Sequence, residues 1–537
     1  MLRTKIAAAA QNVASHFVSA GSLKRTHLLR LMMPRPESEL PSTPLHRSRA
    51  GITLLAAFLG WLFDGFEMGL FPLIGQPALK DLLGAAASPD DANKWFGAII
   101  AVFLVGAASG GVIFGWLGDK IGRVRAMSLS IFTYAIFTGL CGLATQAWHV
   151  AALRFIASLG MGGEWSLGVA LVNEIWPGKS RALTAGLIGA AANVGYLLVA
   201  VLSMVLLSFI EKTHGIFVSI GFSEATTTHL LSHTAWRLLM ISGALPALMI
   251  FGILFFVPES EKWKAEHARG ATSHWAKTDL IGVLVGSIAT LAIIWAWSPA
   301  GVSALPATAI TVVGVAIALL GYLFPVRQYL SRAEAAGSIR ANQGIVKRMI
   351  FGAGLAAVAL LGTWGSTQWA SKWAVQLEPD AAKLAKEWTL FWLSVGAIIG
   401  TMGAALAAGR FGRRITYAVL CMLSIGGSLL LYQTNTTYSP YFLVCATIAG
   451  AFTASFYGFF PLYLPELFPT AVRATGQGFA FNFGRIVAAI GGLQTANLMA
   501  FFGGSFPKAA SVMAAIYLVG MSIIWLGPET KGRPLPD

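Results

Sequence analysis

The sequence predicts an all-helical, polytopic membrane protein made of two related six-helix halves with two further helices between them. Three observations predict it. Of 537 residues, 56% are hydrophobic and only 11% charged, whereas a soluble domain carries about 25% charged residues. Apolar windows of about 20 residues, enough to cross roughly 30 Å of hydrocarbon, recur fourteen times. Finally, Glu174-x2-Pro177-x3-Arg181 returns as Glu466-x2-Pro469-x3-Arg473, 292 positions later. A pattern repeated at that distance marks a duplicated bundle, and duplicated membrane bundles usually move against each other.

In chain order the windows fall near 51–75, 94–117, 124–145, 148–176, 182–208, 235–257, 278–298, 306–326, 345–370, 387–408, 414–433, 440–465, 474–502 and 509–527. The first six form an N-terminal bundle over 51–257 and the last six a C-terminal bundle over 345–527. Between them the pattern gives a linker over 258–277, an extra two-helix hairpin over 278–330 and a second linker over 331–344. The hairpin carries no interior charge and reads as a lipid-facing appendage. A second repeat fixes the register, because Gly115–Arg125 has its counterpart at Gly409–Arg414, offset by 290. Residues 1–50 and 528–537 are expected to be cytoplasmic tails, the first disordered; its apolar stretch at Ile6–Ala10 is too short for a signal-peptide core.

Charge orients the bundle. With both termini in the cytoplasm, 28 of the 38 Lys and Arg residues fall in inside segments, 8 in outside loops and 2 within the membrane, which is the positive-inside pattern. The net charge of +15 is therefore topological, and basic residues scattered over short loops make no stripe for nucleic acid. The expected partners are the lipid bilayer and a small molecule, the chain being a monomer. Cys141, Cys421 and Cys445 all fall in predicted spans, giving neither a disulfide framework nor zinc spacing. The nine histidines form no cluster with a nucleophile or base, so a membrane enzyme is disfavoured and no cofactor is implied. Gly178-Lys179-Ser180 imitates the end of a phosphate-binding loop, but Asn173 stands where its first glycine belongs and a membrane helix precedes it instead of a strand.

An ionisable side chain at the centre of a membrane helix costs at least about 2.5–3.5 kcal/mol unless paired or hydrated. Five such residues need a reason: Asp64 and Glu67, three apart on one helical face, Arg154 and Glu164 in the fourth window, and Arg485 about twelve residues into the window at 474–502. A carboxylate facing an arginine in a cavity is a workable proton switch, because protonation breaks the pair and frees the arginine. Arg485, with no acid nearby on its own helix, suits a carboxylate ligand. Asn193 and Asn482 are polar groups that either bind hydroxyls or join helices. Trp165, Trp364 and Trp369 offer faces for a ring or sugar, although packing and interfacial anchoring explain most tryptophans. Lys372 and His149, near the outer ends of their windows, read as snorkelling side chains.

The segments GWLGDKIGR (115–123), RFIASLGMGGEW (154–165), PESEKW (258–263), PELFPTAVRATGQG (465–478) and PETKGRPL (528–535) resemble the major facilitator superfamily, in particular its metabolite:proton symporter branch. With DGFE at 64–67 and the central hairpin, the chain is most similar to sialic acid:proton symporters and their carboxylate-carrying relatives. The resemblance implies a bacterial inner-membrane carrier working by alternating access, importing a small organic acid such as sialic acid or another monocarboxylate with protons. A proton-coupled carrier of a neutral sugar or an aromatic acid is the alternative, and a non-transporting nutrient sensor a remote one. By the same resemblance, the carboxylate of proton-coupled sugar carriers falls on Glu67 and their arginine on Arg154. Glu67 or Asp64 would carry the proton with Arg154 as partner. Arg154, Glu164, Asn193, Trp364, Asn482 and Arg485 would meet substrate. Asp119, Arg123, Glu174, Arg181, Arg413, Glu466 and Arg473 would form the cytoplasmic gate, stronger on one side because Gly409 replaces Asp119 in the second copy.

Overall fold

The computed structural model describes residues 44–84, 88–176, 180–298, 301–337, 344–377 and 384–536. The first 43 residues of the expected N-terminal tail, and Pro177–Lys179 with most of the phosphate-loop imitation, lie outside them. The chain divides at Ser48 and Arg49 into two units, and the second holds the helical bundle. Among the described residues every regular element is a helix.

The first half comprises α1 (Pro44–Leu83), α2 (Pro89–Ile121), α3 (Arg123–Cys141), α4 (Ala147–Ile175), α5 (Arg181–Ser208), the short α6 (Ile210–Ser219), α7 (Glu224–Ser242) and α8 (Met249–Phe256). Then come α9 (Glu261–Ala268) and the hairpin α10 (Leu280–Ala296) and α11 (Ala304–Ala335). The second half comprises α12 (Ile345–Gly365), α13 (Ala370–Leu377), α14 (Ala385–Phe411), α15 (Arg413–Thr434), α16 (Pro440–Thr453), α17 (Phe456–Tyr463), α18 (Arg473–Phe501), α19 (Phe506–Ala514) and α20 (Ile516–Ile523). Among the described residues twelve segments are long and apolar enough to cross a membrane.

The two expected windows outside that set differ for separate reasons. The window at 235–257 is interrupted between α7 and α8 by a 3-10 turn at Leu245–Leu248 that begins with Pro246 in its first turn, because proline has no N–H for the helical ladder. The window at 474–502 is the continuous 29-residue helix α18, but Arg473, Thr475, Gln477, Asn482 and Arg485 dilute its apolar content. Two further differences concern the linkers. The segment 258–277 contains α9, and α11 runs on to Ala335, inside the stretch expected to be a linker.

The start of α2 shows how local chemistry sets the elements. Ser88 Oγ accepts from the Asp91 N–H while Asp91 Oδ2 accepts from the Ser88 N–H, and Pro89 opens the first turn, a reciprocal cap with proline where its missing N–H costs nothing. At the other end α2 turns into α3 at Gly122, with φ of 110°, and α14 turns into α15 at Gly412, with φ of 96°. Both glycines adopt a backbone that residues with a Cβ resist. The halves meet along two seams, α2 against α18 and α5 against α14.

Candidate functional site

Midway along the first half, Arg154 Nη1 lies 3.1 Å from Glu67 Oε1, both side chains buried. Thr138 Oγ1 donates to the same carboxylate oxygen at 3.2 Å, and the guanidinium sits 4.5 Å above the Phe103 ring centroid and 5.0 Å above that of Phe71. The arginine is thus held by one carboxylate and two aromatic faces. One turn away, Asp64 is buried, and the buried carboxyl group of Glu164 is near enough for the two charges to repel each other. Neither receives a hydrogen bond from a described group. Glu164 Oε1 lies so near Gly60 that any side chain there would collide with it.

Arg485 is buried in α18 and forms no ion pair with a described carboxylate; its Nη1 is 3.9 Å from Met161 Sδ and its guanidinium 5.6 Å from the Phe481 ring centroid. Asn193 Nδ2 donates to Gly189 O at 3.4 Å and Thr401 Oγ1 at 3.3 Å. Asn482 Nδ2 donates to Gly162 O at 2.9 Å and Gly478 O at 3.0 Å. Each amide therefore joins the halves, and the Asn482 Oδ1 remains without a donor.

A cavity of about 480 Å³ lies between the halves, lined by α1, α2, the segment from Trp364 to Gln376, Lys386, Leu390 and α18. Of the six residues expected to meet substrate, Trp364 lines it. Arg154, Glu164, Asn193, Asn482 and Arg485 are not among its lining residues; Arg485 lies about one helical turn from Ala488, which does line it. Lys372, expected to snorkel, is exposed and also lines the cavity, beside Asn93 and Phe96 of α2.

Beneath the buried charges the seam is shut. Trp165 of α4 stacks on Phe481 of α18 with centroids 4.0 Å apart, and Trp61 abuts both at 6.2 and 6.5 Å. Farther along, Gly111 and Gly115 of α2 lie directly against Asn482 and Ala474 of α18.

At the end bearing the repeated motifs, the expected gating residues come together. Asp119 pairs with Arg123 at 2.6 Å and accepts from the N–H of Thr475 at 2.8 Å and its Oγ1 at 2.5 Å, across the seam. Glu174 receives Arg123 at 3.2 Å and Arg473 at 2.9 Å. Glu466 receives Arg413 at 2.6 Å and lies 3.7 Å from Arg181. Arg473–Glu174 and Arg181–Glu466 are thus reciprocal pairs between the halves, the first dry, the second with Arg181 14% exposed.

Several participants escape sequence reasoning. Glu259 accepts the N–H groups of Arg123 and Val124 at 3.0 and 3.1 Å, and Glu529 those of Arg413 and Arg414 at 2.9 and 3.2 Å. Thr530 Oγ1 donates to Glu466 at 2.6 Å, and Trp263 of α9 donates to the Asp119 carbonyl at 2.9 Å. The signal was present: Pro-Glu-Ser at 258–260 and Pro-Glu-Thr at 528–530 each follow one of the two gate motifs, 135 or 136 and 115 or 116 residues beyond the capped N–H groups. Thr475 has no such signal.

Two helical bundles, a cavity between them and paired charges closing one end define a polytopic membrane carrier. Residues 52–280 and 387–537 match the sugar (and other) transporter family, and the chain belongs to that family. Most of the hairpin lies in the unmatched interval. The chain is 27% identical over 481 residues to a cis,cis-muconate transport protein of Acinetobacter baylyi, covering 88% of this chain and 94% of that protein. It is 25% identical over 498 residues to the inner membrane metabolite transport protein YgcS of Escherichia coli, covering 92% and 94%. Among solved structures, the major facilitator superfamily proton:xylose symporter XylE superposes with a TM-score of 0.65 at 18% identity, over 91% of this chain and 98% of that one. The fold is that of the major facilitator superfamily, and the protein is a multi-pass metabolite transporter, not an enzyme.

Proposed function

We propose that this transporter is a proton-coupled symporter importing a small organic acid, such as sialic acid or another monocarboxylate, by alternating access. The observation that carries the reading is the buried Glu67–Arg154 pair at 3.1 Å, beside two more carboxyl groups that have each other as neighbours. Protonating Glu67 removes its attraction for Arg154, and the two states favour different helix arrangements. Both termini are cytoplasmic on the positive-inside count, the protein works as a monomer in a bacterial inner membrane, and the closed end is cytoplasmic. The cavity then faces outward, and Arg485, which feels the Asp64 and Glu67 charges but forms no close ion pair with a described carboxylate, is free to take a carboxylate from it. The muconate carrier's cargo is itself a carboxylate, which supports this class of substrate. Inward negative potential contributes roughly 2.3 kcal/mol per charge per 100 mV when a cation enters.

The test is uptake in proteoliposomes against a panel of carboxylates and sugars, followed by Glu67→Gln combined with Asp64→Asn. The double variant is expected to lose accumulation driven by a pH gradient and to keep substrate exchange. Uphill uptake that survives both substitutions sinks the assignment.

A further inference from the structure

The outer cavity carries charges that the coupling mechanism does not use. Its described lining includes Lys372 of α13 and Lys386 of α14 and no carboxylate. The two ammonium groups are close enough to repel each other, and Lys80 adds its charge beside Lys386. Lys372 Nζ lies 3.4 Å from the uncharged Asn93 Oδ1, 5.5 Å from the Trp369 ring centroid and 6.0 Å from that of Phe96. Glu387, next to Lys386, is buried, accepts from Ser203 Oγ of α5 at 3.4 Å and attracts the Lys386 ammonium, so it offsets one of the three positive charges of Lys80, Lys372 and Lys386 and leaves an excess of cations at this wall. Two cations held together in a partly enclosed wall gain from an anion placed between them.

The rest of the wall restricts what that anion is attached to. Phe96, Ile100, Leu104, Trp364, Trp369 and Phe506 present rings and aliphatic groups, with Gln76, Gln368, Ser371 and Gln376 as the uncharged polar side chains. At about 480 Å³ the space suits a small organic molecule. A polyhydroxylated acid would leave most of its hydroxyls facing hydrocarbon, each costing free energy when unpaired. A flat apolar acid would bury its body against the rings while its carboxylate meets the lysines.

We propose that Lys372 and Lys386 form a carboxylate-capture site at the cavity, selecting a monocarboxylate with a flat apolar body before it passes inward to Arg485. The site rests on the organic-acid reading and narrows it, toward flat apolar monocarboxylates and away from polyhydroxylated acids such as sialic acid. Capture by exposed charge acts on encounter and apparent affinity and is screened by salt, with a Debye length of about 10 Å at 0.1 M.

The probe is benzoate, with uncharged benzamide and polyhydroxylated gluconate as controls, titrated into the purified full-length protein with tryptophan fluorescence as readout at low and high salt. Wild type is expected to bind benzoate more tightly than either control. Lys372→Gln with Lys386→Gln should weaken benzoate binding about tenfold at low salt, remove its salt dependence and leave benzamide unchanged. Lys372→Arg with Lys386→Arg, which keeps both charges, should restore binding and guards against misfolding. Wild-type affinity and salt dependence in the Gln variant, gluconate binding more tightly than benzoate, or no benzoate binding to wild type would each overturn the proposal. Lysine-dependent benzoate binding without proton-driven uptake would overturn the symport reading alone and leave the capture site standing.

Discussion

Glu529 accepts N–H groups from Arg413, Arg414 and Lys531 at 2.9–3.2 Å, at a helix N-terminus whose dipole favours negative charge. Burial raises the carboxyl's proton affinity, but the backbone donors of Arg413, Lys531 and Arg414 outweigh it and hold the group below its ordinary range. A carboxylate depressed in the folded state contributes stability above its unfolded value, near about 4.3, and loses it as pH falls through the folded value. Glu529→Gln should therefore melt below wild type at pH 7, and the gap should close as pH drops below about 4. A gap unchanged at low pH would show that the carboxylate's charge is irrelevant to its capping. At this scale the sequence displayed the residue without its role. Pro-Glu-Ser and Pro-Glu-Thr are visible as a recurrence, but a side chain that caps a helix 116 residues earlier is a tertiary fact.

The helices themselves were legible, because a lipid-spanning segment must satisfy its own backbone and therefore runs as a long apolar stretch. Their interruptions were not. The break between α16 and α17 at Ala454–Ser455 falls where protein neighbours can receive freed backbone groups, and apolar composition carries no trace of that. The extra hairpin shows an exposed apolar face and a seated one, and the sequence displayed no sign of the second. Ile281, Leu284, Val285, Ile288, Val312 and Val313 are exposed on one face. On the other, Ser287 Oγ lies 2.7 Å and Tyr322 Oη 2.8 Å from Ser109 Oγ of α2. Tyr322 also meets Phe483 of α18 edge-on, at 6.4 Å, so the hairpin touches both helices of one seam. Tyr322→Phe should cost only about 0.5–1.5 kcal/mol, since Ser109 and Ser287 keep each other. Gly286→Leu should cost more, because even a methyl there falls 2.8 Å from the Tyr322 ring. Thermal melts of the two variants in one detergent order them, and an equal loss would mean the hairpin is not seated by this contact.

Across the whole molecule, duplication made the gate readable and its asymmetry only half so. Glu174, Arg181, Glu466 and Arg473 stand out because the pattern repeats, and Gly409 in place of Asp119 signals a weaker second side. Thr475, which donates to Asp119 of the other half, has no repeated partner to reveal it. The proposed gate makes a quantitative claim about that asymmetry. Arg473 is fully buried, pairs with Glu174 at 2.9 Å and donates to the carbonyls of Phe468 and Pro536. Arg181 is partly solvated, 3.7 Å from Glu466, and donates to the Arg533 carbonyl at 3.0 Å. Without Arg473 the dry Glu174 keeps only the longer contact to Arg123 at 3.2 Å, a poorly compensated buried charge, whereas Glu466 without Arg181 keeps Arg413 and Thr530 Oγ1, each at 2.6 Å. Arg473→Ala should therefore shift the population toward opening of the motif-bearing end by about tenfold to a hundredfold, and Arg181→Ala by less than about fivefold. Ser166, fully buried where Gln477 reaches across the seam, reports that opening when replaced by cysteine. Its maleimide labelling rate, corrected for the buried native Cys141, Cys421 and Cys445, should rise by those factors in the two backgrounds. Equal rates in both would mean that the two reciprocal pairs share the closure evenly, and that neither the missing acid at Gly409 nor the burial of Arg473 biases which pair holds the halves together.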